Sequence, residues 1–120
     1  MISPTGQGIR NDPEGSGEYG ALRGDRLHNG VDFLCEPEHC VMAPFDMVIK
    51  RVSYPHEDHV MSGIAWVCRE SSGRLWYFEP DQELIGCKVY QGDVIGFAQD
   101  ISKYYNAPKM KPHLHFRITR

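Results

Sequence analysis

The sequence predicts an all-β domain built from antiparallel sheet, and two observations carry that prediction. Over His113–Thr119 the residues alternate with period two: Leu114, Phe116 and Ile118 share one face, and His113, His115 and Arg117 share the other. Elsewhere, short runs rich in Val, Ile and aromatic residues are separated by Gly, Pro and Asp, and no segment longer than about ten residues shows a helical period.

The elements follow in chain order. Residues 1–26 are rich in Gly, Pro, Ser, Asn and Asp and read as loop with little regular structure. Residues 1–16 are expected to form an N-terminal arm and 17–120 the folded domain. From Val31 onward the pattern is β. Val41-Met42-Ala43 is a short apolar run stopped by Pro44, and Met47 to Tyr54 is rich in Val and Ile. Gly63 to Arg69 carries Ile64, Trp66 and Val67, and Leu75 to Phe78 is an aromatic strand ended by Pro80. Val94 to Ala98 follows a turn at Gln91-Gly92-Asp93. Ile101 to Asn106 is the best candidate for a short helical turn.

Bulk properties exclude several function classes. A length of 120 residues suits one domain, and 41% hydrophobic residues allow a small core. A formal charge of −3 argues against a nucleic-acid partner. No stretch approaches the ~18 apolar residues of a membrane helix, so no membrane partner is expected. Met1-Ile2-Ser3-Pro4 lacks the basic start and apolar run of a signal peptide. Synthesis in the cytoplasm is therefore expected, with some other device carrying the protein to its place of action. Cys35, Cys40, Cys68 and Cys87 form no C-x-x-C pair, so free thiols are the expectation, although Cys35 and Cys40 are close enough in sequence to pair.

Two histidine groups carry chemistry. In His28-Asn29-Gly30-Val31-Asp32 an extended chain points residues i and i+4 to one face, so His28 and Asp32 converge with Gly30 leaving space between them. In His113-Leu114-His115 period two puts both imidazoles on one face while Leu114 anchors the strand. Imidazole and carboxylate are good zinc ligands, and three ligands with one open position is the catalytic zinc pattern. His28, Asp32 and one of the two strand histidines supply three; the other histidine is left for acid–base work. His39 and the charged stretch Pro55-His56-Glu57-Asp58-His59 read as solvated turns.

Four stretches, in order, carry a resemblance. They are Arg26-Leu27-His28-Asn29-Gly30-Val31-Asp32-Phe33, Val41-Met42-Ala43-Pro44-Phe45-Asp46-Met47-Val48-Ile49, Val89-Tyr90-Gln91-Gly92-Asp93-Val94-Ile95-Gly96 and Pro112-His113-Leu114-His115-Phe116. Met47 stands where a Gly is usual. With the lead-in Gly17-Glu18-Tyr19-Gly20-Ala21-Leu22-Arg23, the chain from about 17 to 119 resembles the lysostaphin-type (LytM) zinc endopeptidases, which cut peptides of bacterial peptidoglycan. The resemblance implies a sandwich of antiparallel sheets with long loops (the duplicated hybrid motif). It implies a zinc ion held by His28, Asp32 and His115, with His113 as the catalytic histidine beside it. It implies hydrolysis by water that the metal has acidified.

One departure from the family matters. A further catalytic histidine usually stands in a "Y-x-H-L" strand; here the segment is Trp76-Tyr77-Phe78-Glu79-Pro80, and Glu79 takes the histidine's place. A carboxylate can serve as general base, so Glu79 is expected to be catalytic with His113. The chain is also similar to the leukocyte cell-derived chemotaxins, which have the zinc ligands without that histidine and share stretches close to Val31–Cys35 and Ala43–Phe45. The expected function is a zinc metalloendopeptidase with peptidoglycan peptides as partners, acting at the cell wall or periplasm. Delivery by a phage tail or lysis system fits the absent signal peptide. The alternatives are a catalytically impaired zinc-binding wall- or protein-binding module, or a structural component of a phage tail. The groove is expected along the face bearing His28, Asp32, His113 and His115, walled by loops 54–62 and 99–111, with Tyr104 and Tyr105 as candidate substrate contacts.

Overall fold

The structure is a computed structural model that describes residues 1–13, 15–18, 20, 22, 23, 26, 27, 30–69 and 71–119, with backbone alone at 22, 23, 26 and 27. Its strands are β1 (Asn11–Asp12), β2 (Gly15–Ser16), β3 (Leu22–Arg23), β4 (Arg26–Leu27), β5 (Val31–Leu34), β6 (Cys40–Met42) and β7 (Met47–Ser53). There follow β8 (Gly63–Cys68), β9 (Ser71–Trp76), β10 (Phe78–Pro80), β11 (Lys88–Val89), β12 (Val94–Ala98) and β13 (His113–Thr119). A short helix, α1 (Ile101–Tyr104), lies between the last two strands, where a helical turn was expected. The Asp100 carboxylate caps it by accepting from the Ser102 and Lys103 amides.

The chain is nearly all β, as the alternating pattern predicts. Six strands form the main sheet in the order β11-β7-β8-β9-β13-β5, and β10-β12-β6 form a second sheet; every described pairing is antiparallel. The core joins the two. Ile49, Ile64, Trp66, Leu75, Leu114 and Phe116 come from the main sheet, and Val41, Phe78, Ile95 and Ala98 from the second. Trp66 stacks on Phe116 with ring centroids 5.6 Å apart, and Phe45 meets both edge-on. Ile118 departs from the expected core face: it pairs with Gly73 near the strand end and is 46% exposed.

The stretch Leu75–Phe78 also differs from expectation. It is not one strand. Tyr77 adopts a positive φ of 82°, ending β9 in the main sheet and starting β10 in the second. Two backbone hydrogen bonds hold the kink: Tyr77 N donates to Ser62 O at 2.7 Å, and Gln99 N donates to Tyr77 O at 2.9 Å. A tyrosine in the left-handed region is unfavourable by itself, so tertiary bonding imposes it.

The N-terminal segment is fastened down rather than loose. Ile2 N donates to Pro44 O, Met42 N to Pro4 O, Leu34 N to Gly8 O and Arg10 N to Asp32 O, at 2.7–2.9 Å. Residues 2–10 thus run along the outer edges of β5 and β6. All four cysteines are free thiols.

Candidate metal centre

Pairing of β13 with β5 sets His115 directly opposite Asp32, and His113 opposite Leu34. Leu114 and Phe116 enter the core from the same strand, which turns both imidazoles to the outer face. The Nδ1–H of His115 donates to Asp32 Oδ1 at 3.0 Å, and His113 Nε2 lies 3.6 Å from Asp32 Oδ2. All three side chains are buried, Asp32 at 2% exposure.

His113 has a fixed protonation pattern. Its Nδ1 is 2.8 Å from the carbonyl of Lys111, which can only accept, so Nδ1 carries the proton. In the neutral form that burial favours, Nε2 is the lone-pair nitrogen, and it lies beside Asp32. Burial holds this imidazole below its ordinary pKa against the opposing pull of the Asp32 carboxylate.

A residue that sequence reasoning missed completes the cluster. Arg10 reaches in from the N-terminal segment and donates Nη1 to Asp32 Oδ2 at 3.2 Å. The same Nη1 is 3.4 Å from His113 Nε2, and Nε pairs with Asp12 Oδ2 at 2.9 Å. No local signal marks Arg10 as part of the cluster, because Asp32 and His113 lie far away in sequence.

The donor chemistry fits zinc at two corners. Asp32 Oδ1 and His115 Nδ1 converge on a shared proton that a cation could displace, while Arg10 occupies only the other carboxylate oxygen. Gly30 makes room: a Cβ there would stand 2.7 Å from His115 Nε2 and closer still to the carbonyl oxygen of Phe116. This gives a steric reason for glycine between His28 and Asp32. His28, the third expected ligand, lies outside the described residues. Among those described, no group of three or more His, Cys, Asp or Glu is placed to hold a metal.

The structure does not bring Glu79 to this cluster. Glu79 sits on β10 in the second sheet, opposite Phe97, with its side chain exposed. The ring that meets the histidines is that of Tyr77, whose centroid is 5.6 Å from His113 and 6.4 Å from His115. Burial, with Tyr105 and Asp32 nearby, raises its phenol above the ordinary value. Trp76, also unforeseen, stacks on His115 at 5.6 Å, and its Nε1 donates to Ser53 Oγ at 3.1 Å. The two expected wall loops are tied together. Tyr104 Oη donates to Asp58 Oδ2 at 2.6 Å, and Tyr105 Oη is 2.8 Å from His56 Nε2.

No family model matches the chain. Among curated proteins it is similar to leukocyte cell-derived chemotaxins. Bovine leukocyte cell-derived chemotaxin-2 is 30% identical over 110 residues, spanning 87% of this chain and 68% of that protein. The mouse protein of the same name is 30% identical over 106 residues with the same shares of each chain. With 30% identity over more than two thirds of each relative, the chain belongs to the leukocyte cell-derived chemotaxin-2 family.

Proposed function

We propose that the chain is a zinc metalloendopeptidase of the lysostaphin type that hydrolyses stem or bridge peptides of bacterial peptidoglycan at the cell wall or periplasm. The observation that supports it is the setting of His113: buried, with Nδ1 donating to the Lys111 carbonyl and Nε2 beside Asp32. A neutral imidazole fixed in this way can take a proton from an attacking water and return it to a leaving amine. His28, Asp32 and His115 would hold the zinc. When bound, the metal supplies a Lewis acid that polarises the peptide carbonyl and acidifies water. In this reading His113 is the base, and Glu79, exposed on the second sheet, is not.

A second reading, a zinc-holding module that binds peptide without cutting it, is favoured by one specific observation. Arg10 Nη1 sits on both Asp32 Oδ2 and His113 Nε2, so the lone pair needed for base catalysis is engaged.

Metal analysis of the purified protein, coupled to a muropeptide digest with and without chelator, separates the two. The peptidase reading expects stoichiometric zinc and chelator-sensitive peptide fragments. It expects His113→Ala to abolish cleavage with zinc retained, and Glu79→Gln to leave cleavage intact. Zinc without fragments selects the binding module, and absence of zinc rejects both.

A further inference from the structure

The same outer face of the main sheet carries a row of arginines beside the histidine cluster. Strand pairing sets Arg117 of β13 opposite Arg74 of β9, Arg74 opposite Ala65 of β8, and Ala65 opposite Arg51 of β7. Directly opposed residues point to the same face. Three guanidiniums therefore line up across four consecutive strands, with one methyl group interposed. At about 4.8 Å per strand, Arg117 and Arg74 are immediate neighbours and Arg51 is about 10 Å from Arg74.

This row is unfavourable for the fold alone. Like charges placed opposite one another destabilise a sheet. Burial, together with Arg51 and Arg117, holds Arg74 below its ordinary pKa, yet a guanidinium stays charged. Among the described residues, no carboxylate forms an ion pair with any of the three. Arg51 and Arg74 spend one donor each on an adjacent backbone carbonyl, and buried Arg117 Nε has no partner among the described residues. Arg117 lies over the Trp76 ring, 5.0 Å from its centroid, and Trp76 stacks on His115. His115 and Trp76 pair two residues away along the strands that carry Arg117 and Arg74. Two residues of strand rise place the row about 7 Å from the Asp32–His115 pair.

We propose that Arg117, Arg74 and Arg51 form a carboxylate-binding subsite that holds an acidic peptide lying across the sheet face beside the histidine cluster. The proposal rests on the reading that a peptide occupies this face. Guanidinium forks match carboxylates in two-point contacts, and partial burial strengthens them. The spacing suits two carboxylates, one shared by Arg117 and Arg74 and one held by Arg51. Trp76, fixed by Ser53, floors the path between the subsite and the histidines.

The test uses the whole chain, with and without chelator, titrated by calorimetry and tryptophan fluorescence. The probes are a short peptide with two side-chain carboxylates, its Asn/Gln counterpart, and inorganic phosphate. The acidic peptide is expected to bind at least tenfold more tightly than the amide form and to weaken as salt rises. Arg74→Gln and Arg117→Gln should each weaken it about tenfold, in the range for charge-assisted hydrogen bonds. Arg74→Gln should leave the melting temperature unchanged or higher, because it relieves repulsion; a purely structural arginine would lower it. Exposed Arg51→Gln, which carries little folding risk, should cost several-fold. Equal affinity for acid and amide peptides, or unaltered binding by Arg51→Gln and Arg74→Gln, overturns the proposal. Phosphate competing as well as the acidic peptide also overturns it, leaving a general anion site. Zinc content is measured separately: acidic peptide bound without zinc sinks the metal reading and leaves the arginine subsite standing.

Discussion

The Arg10 guanidinium is seated on the Asp32 carboxylate, Nη1 to Oδ2 at 3.2 Å, with both side chains about 3% exposed. The same guanidinium serves Asp12, whose side chain is fully buried. One cation from the N-terminal segment therefore bridges two buried carboxylates at the edge of the histidine cluster.

Arg10→Gln should consequently be strongly destabilising without metal. Removing one partner of a buried ion pair costs roughly 3–5 kcal/mol, because the remaining charge keeps its desolvation penalty. A divalent cation bound through Asp32 would offset part of that cost. Thermal unfolding with and without zinc is the measurement. The variant should melt well below wild type without zinc, and zinc should raise its midpoint by more than it raises that of wild type. Equal zinc-induced shifts would mean that Arg10 and the metal do not share Asp32.

How far the sequence was legible follows from the range of each interaction. The period-two pattern of His113–Thr119 depends on neighbours along one strand, and β13 lies where that pattern puts it. His115 and Asp32 could be named from their motifs, but their meeting depends on β13 pairing with β5 across 83 residues. Arg10 sits in a segment that reads as loop, and its partners within the cluster are 22 and 103 residues away. The arginine row needs four strands in register before it exists. Glu79 was named from its place in a motif, and motif order does not show that the left-handed turn at Tyr77 carries residues 78–80 into the second sheet. No glycine or proline announces that turn; Ser62 and Gln99 impose it from elsewhere in the fold.

Gly30→Ala should damage the site through sterics alone. The added methyl would stand 2.7 Å from the His115 ring and closer to the Phe116 carbonyl. Neither can yield, since His115 lies between Asp32 and Trp76, and Phe116 belongs to the sheet. A loss of about 1–3 kcal/mol is expected from overpacking, together with at least tenfold weaker zinc binding. Gly8→Ala is the control. A Cβ at Gly8 meets nothing within 4 Å, so stability and zinc affinity should stay within about 0.5 kcal/mol of wild type. Zinc titration and chemical denaturation of both variants decide the matter, and equal behaviour would remove the steric role of Gly30.

Cys35 gives a pH dependence whose sign can be worked out. Burial, then the neighbouring Cys40 and Glu36, push its thiol from 9.0 up to about 11. Between these values the unfolded chain releases a proton that the folded chain keeps, so unfolding gains from rising pH and stability falls. The stabilising contribution is complete below about pH 9 and lost as pH approaches 11. Each unit of separation is worth about 1.4 kcal/mol, so the loss over the window should be of order 2 kcal/mol. Lysines and tyrosines titrate in the same range, so the informative quantity is the difference between wild type and Cys35→Ala in urea midpoints at pH 8 and pH 10.5. Wild type should lose more stability than the variant. The same shift predicts the order of alkylation. Near pH 8 the raised pKa keeps Cys35 as thiol, whereas exposed Cys87 has no burial to slow it. Mass spectrometry of timed alkylation should find Cys87 modified first and Cys35 last in the folded protein. Early modification of Cys35 would mean that its thiol is neither buried nor raised.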